Sequence, residues 1–135
     1  MGTRTIRQSA TFKASPHDVY EALMDPVKHA GFTGSAVNMS RRVGYKFSVY
    51  GGEIEGVNLD LVPDQKIVQS WRYGNWPAGH YSRVTFLLKE VPGGTRLIFT
   101  QSGVPEQFYD DICQGWRDYY WGPMKEMLES ESGQV

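Results

Sequence analysis

The chain has 135 residues and a formal net charge of −1, with a sequence pI near 6.3, so it carries no basic footprint for a nucleic-acid backbone and no charged tail for a membrane surface. No stretch reaches the ~20 apolar residues of a membrane helix, and the start lacks the apolar core of a signal peptide. Cys113 is the single cysteine, so the expectation is one domain over residues 1–135 in a reducing cytoplasm, with a polar tail fraying from about residue 130.

Thr3 to Ala14 alternates, with Ile6 and Phe12 on one face, and reads as a first strand. Ser15-Pro16-His17-Asp18 starts a helix: Ser15 can cap, Pro16 suits the first helical position, and Asp18 suits the N-terminal dipole. Val19, Ala22 and Leu23 then face inward, and Asp25-Pro26 begins a second short helix that Gly31 and Gly34 stop. From Ser35 to Ser102 turn signals recur at regular spacing: Gly51-Gly52, Pro63-Asp64, Trp76-Pro77-Ala78-Gly79 and Pro92-Gly93-Gly94. Between them lie alternating runs, among them Val43, Tyr45, Phe47 and Val49, then Val57, Leu59 and Leu61. One curved antiparallel sheet of six or seven strands is expected. After Pro105 the residues Ile112, Trp116, Tyr120, Met124 and Met127 form a helical stripe, and Pro123 within it predicts a kink. Only this helix is long enough to cover the sheet's apolar face, giving an α+β fold.

Candidate catalytic groups are sparse. His17, His29 and His80 have no metal-ligand spacing. Cys113 has acidic neighbours rather than cationic ones, and Glu53 and Glu55 border a hairpin turn where carboxylates are usually solvated. No catalytic residue, metal or cofactor is therefore assigned, and a binding protein is expected rather than an enzyme.

Several pieces together point further. Trp71-Arg72, Trp76-Pro77-Ala78-Gly79-His80, Gly94-Thr95, Gly103-Val104-Pro105 and Gly115-Trp116 followed by Tyr119-Tyr120 resemble, in order and spacing from Phe12 to Leu128, the C-terminal module of the activators of the heat shock protein 90 ATPase. That module belongs to the helix-grip superfamily of START domains and birch-pollen allergens. The resemblance implies a sheet wrapped around a long C-terminal helix and a co-chaperone-like role with a heat shock protein 90-type chaperone or another protein. It also implies that the chain begins almost at the module's first strand, without the N-terminal domain of the two-domain activators.

In such a fold the sheet can leave a cavity under the helix. Its expected walls are Phe47, Trp71, Phe86 and Phe99 facing Trp116, Tyr120 and Met124, with Met24 and Met127 as adaptable lining and Asn58, Asp60 and Gln101 as candidate polar groups. A small hydrophobic ligand there is the alternative function, and a polyketide cyclase-like enzyme is a third. Trp76, Pro77 and His80 are the candidate partner contact, a rigid amphipathic anchor on a loop. The competing reading of Trp76 is a ring folded back to close the end of the sheet.

Overall fold

In the computed structural model, residues 2–132 are described, apart from the side chains of 131 and 132. The strands among them are β1 (Thr3–Phe12), β2 (Val37–Asn38), β3 (Lys46–Val49), β4 (Ile54–Val62), β5 (Lys66–Tyr73), β6 (Ser82–Val91) and β7 (Gly94–Pro105), with helices α1 (Pro16–Met24) and α2 (Pro26–Thr33) after the first strand. All pairings are antiparallel, in the order β1-β7-β6-β5-β4-β3-β2. The chain thus runs as a meander from β2 to β7 and closes on β1, which pairs Thr3 with Pro105 and Phe12 with Thr95.

The local signals behave as their chemistry requires. Ser15 Oγ accepts the Asp18 N–H at 3.1 Å, and Asp25 Oδ1 accepts those of Val27 at 2.8 Å and Lys28 at 3.2 Å, so each short helix begins on a side-chain cap. Arg41 reaches back to Glu21 and Asp25 and ties the α1–α2 corner to the chain before β3. Gly34 alone, at φ 71°, terminates α2, whereas Gly31 lies inside that helix.

Two strands differ from the expected patterns. Val43 is exposed and precedes β3, which begins only at Lys46. In β4 the inward residues are Ile54, Gly56 and Asn58, while Val57 and Leu59 face outward, and the register shift between Asn58 and Asp60 brings Leu61 back against the core. Gly56 is required at that point: a Cβ there would lie 1.8 Å from the Ser70 carbonyl oxygen and 2.8 Å from the Phe47 ring.

A short turn, Glu106–Phe108, leads from Pro105 into a helical run made of α3 (Tyr109–Trp116), a widened turn Arg117–Trp121, and α4 (Gly122–Ser132). The widened turn carries a hydrogen bond from the Gly122 N–H to the Arg117 carbonyl, one residue longer than α-helical spacing. It ends one residue short of Pro123, which has no N–H and would crowd the carbonyl four residues back. The extra residue carries Trp121 into the core beside Tyr120, with Met124 and Leu128 following. The tail expected to fray from 130 is helical through Ser132, and 133–135 lie outside the described residues.

Candidate functional site

The C-terminal helix is fastened to the sheet by two tryptophan indoles on two glutamines. Trp116 donates to Gln101 Oε1 at 2.8 Å, and Gln101 in turn donates to Ser82 Oγ at 2.9 Å, whose hydroxyl donates to the Trp71 carbonyl at 2.8 Å. Trp121 donates to Gln8 Oε1 at 2.7 Å, while Gln8 donates to the Cys113 carbonyl at 3.0 Å. Each buried polar atom in these chains is answered, so they orient the helix without leaving an unmet group.

Around these anchors the expected cavity wall is mostly filled core. Phe47, Trp71, Phe86, Phe99, Trp116, Tyr120 and Met124 are all buried. Trp116 packs on Phe99 at 4.4 Å and on Tyr120 at 4.6 Å between ring centroids, and Phe86 on Phe99 at 5.2 Å. The gap left among Phe47, Trp71, Phe86, Trp116 and Tyr120 is about 10 Å³, room for no more than one water. Of the polar candidates, Asn58 is spent on the Ser40 and Arg42 carbonyls and on Gln69, Gln101 on the anchor above, and Asp60 points outward to Lys66 at 2.9 Å.

A cleft of about 400 Å³ opens at one end of the helix, between α3 and the Tyr50–Ile54 and Trp71–Asn75 segments. From the expected wall it uses Trp71, Trp116 and Tyr120, while Phe99 and Met124 line neither space. Tyr50, Tyr73, Phe108, Ile112 and Tyr119 supply the remaining apolar surface, and Glu53, Asn75 and Asp111 the polar edge. None of these was expected in the cavity wall, although Ile112 was placed in the helical stripe and Glu53 was weighed as a carboxylate, because they converge from a turn, a strand end and a helix that are far apart in sequence. The clue in the sequence was Tyr50 before Gly51-Gly52, where the chain must turn sharply.

Tyr50 adopts φ 54°, the left-handed region that favours glycine, and its hydroxyl is buried without a hydrogen-bond partner among the described residues. Its ring meets Tyr119 edge to face at 6.0 Å. Tyr73 donates to Glu53 Oε2 at 3.4 Å. Desolvation holds the Tyr50 and Tyr73 hydroxyls above the ordinary tyrosine pKa, reinforced at Tyr73 by the Glu53 charge, so both are neutral at physiological pH.

Of the two readings of Trp76, an exposed anchor or a ring folded back on the sheet, the ring takes the second. It is folded back and buried, edge-on to Trp71 at 5.4 Å and to His80 at 5.7 Å, because Arg72 clamps the turn through the Trp76 and Pro77 carbonyls at 2.8 and 3.3 Å. His80 Nε2 donates to the Gly103 carbonyl at 2.8 Å, leaving Pro77, Ala78 and Gly79 as the exposed tip.

His29 is buried, with Nδ1 donating to the Leu23 carbonyl at 2.9 Å and Nε2 accepting from the Tyr120 hydroxyl at 2.8 Å. Burial drives its pKa down to about 4, so it is neutral and joins α2 to the C-terminal helix. His17 is exposed on Asp64 at 2.9 Å. Among the described residues no three His, Cys, Asp or Glu side chains come together as a metal-ligand set, and no helix is long and apolar enough to cross a membrane.

A family model described as Activator of Hsp90 ATPase homolog 1-like protein matches residues 13–129. An activator of 90 kDa heat shock protein ATPase homolog from Dictyostelium discoideum is 38% identical over 117 residues, covering 85% of this chain and 30% of that protein. The human homolog 1 is 31% identical over 124 residues, covering 92% of this chain and 37% of that protein, so the chain spans about a third of these relatives. Among solved structures, an HSP90 activator from Plasmodium falciparum superposes with a TM-score of 0.83 at 22% identity, over 96% of this chain and 97% of that one. The Aha1 dimer from Colwellia psychrerythraea gives 0.80 at 23% identity over 93% and 96%. Both show the same fold.

Proposed function

The chain belongs to the Activator of Hsp90 ATPase homolog 1-like family, and from that premise we propose that it acts by binding, as a co-chaperone-like module for a heat shock protein 90-type chaperone in the cytoplasm. The observation that carries this reading is the family match over residues 13–129. The three histidines and the cysteine lie on separate elements of the fold. His29, which does touch Tyr120, is spent on holding two helices together. The exposed Pro77–Gly79 tip, braced by Trp76 and His80, is the proposed partner contact. Calorimetric titration of the purified chain into the chaperone of the same organism tests this: saturable binding is expected, and heat of dilution alone overturns it.

A second reading is favoured by the cleft itself. Its volume of about 400 Å³ and its aromatic walls with a few polar groups at the edge suit a small ligand. In that reading the module binds or carries a small hydrophobic molecule between Trp71, Trp116 and the tyrosines of the mouth.

A further inference from the structure

The cleft's lining has a sign. Its charged side chains are Glu53, just before β4, and Asp111, in the first turn of α3, and no Lys, Arg or His is among its lining residues. The same lining holds the rings of Tyr50, Tyr73 and Tyr119 and the indoles of Trp71 and Trp116. Ring faces carry negative potential and attract a cation placed over them, most strongly where water is partly excluded. The desolvated Tyr50 and Tyr73 hydroxyls stay protonated, so the carboxylates set the charge of the mouth.

We propose that this cleft is a binding site for a small organic cation with an apolar body, such as an aryl or alkyl amine or quaternary ammonium. The inference rests on the reading of the cleft as a ligand site and adds the ligand's chemical class. An anion of the same shape meets Glu53 and Asp111 as like charges. A neutral hydrophobe gains only the aromatic walls, whereas a cation gains the walls and the attraction of Glu53 and Asp111 together. The left-handed backbone of Tyr50 and its unpaired hydroxyl are a local cost held at this wall, which fits a surface shaped for binding rather than for stability.

The test uses three phenols that differ in the charge of one arm: 4-hydroxybenzyltrimethylammonium, its uncharged carbon isostere 4-neopentylphenol, and 3-(4-hydroxyphenyl)propionate. Each is titrated calorimetrically into the whole chain. The ammonium is expected to bind about tenfold or more tighter than the neutral isostere, with the anion weakest. Added salt should weaken the ammonium alone, because the carboxylates are exposed. The E53Q/D111N double variant, its folding checked by thermal melt, should remove most of the ammonium's advantage over the neutral phenol, the part the aromatic walls do not supply, while leaving the neutral one unchanged. Equal or tighter binding of the neutral or anionic probe by the wild type overturns the cationic class while the cleft stands as a ligand site. If none of the three binds, the ligand-site reading falls and this proposal with it.

Discussion

Trp116 joins the aromatic core, the polar anchor and the cleft in one side chain. Its ring packs on Phe99 and Tyr120, its N–H is held by Gln101, and it is among the residues lining the cleft. Trp116→Ala should therefore lose about 3–5 kcal/mol of stability by equilibrium denaturation, the range for truncating a buried large aromatic. A loss under ~1 kcal/mol would mean the ring is not core. His29 gives a test by pH. Its folded pKa of about 4 lies below the ordinary 6.5, so on acidification the unfolded chain takes up a proton first. Its share of stability is complete above pH ~6.5 and is lost as pH falls toward 4, by on the order of 3 kcal/mol. Exposed His17, raised by Asp64, acts with the opposite sign: its contribution is present below its unfolded pKa and fades as pH rises through the folded one. Denaturation from pH 7 to 4.5 should show the His29 slope, and His29→Leu should flatten it. An unchanged slope in that variant would assign the acid sensitivity to other groups.

At the level of elements, the antiparallel sheet and the helical cover were readable because they rest on local chemistry: caps at Ser15 and Asp25, glycine and proline turns, and a stripe beginning at Ile112 and Trp116. Trp121 was not readable, since the turn widened ahead of Pro123 inserts a residue that no fixed period anticipates. The facing of β4 was obscured in the same way, because Val57 and Leu59 look like the core stripe while the true inward positions include a glycine and an asparagine. That glycine supplies the element-scale test. With the Ser70 carbonyl 1.8 Å from where its Cβ would stand, Gly56→Ala must push β4 off β5 and should cost about 1–3 kcal/mol or more in denaturation. A neutral result would show that the two strands lie further apart than described.

For the whole molecule, the candidate site was half legible. Trp71, Trp116 and Tyr120 do reach the open cleft, but the interior between helix and sheet is filled, and the mouth depends on Tyr50, Tyr73 and Tyr119, whose convergence requires the folded turn at Tyr50. The Trp76 turn was legible as a rigid element with two possible facings of its ring, and the ring closes the sheet's end. Trp76→Ala should accordingly lower stability by about 3–5 kcal/mol. In conditions where that variant remains folded, chaperone affinity should be retained if the exposed Pro77–Gly79 tip makes the contact, whereas lost affinity at unchanged stability would place the indole itself in the interface.

The co-chaperone reading is tested most directly by the steady-state ATP turnover of the same organism's heat shock protein 90-type chaperone, followed as the purified chain is added. A change in rate that saturates with the chain's concentration is expected. A rate that stays flat up to a large molar excess of folded chain would contradict the reading.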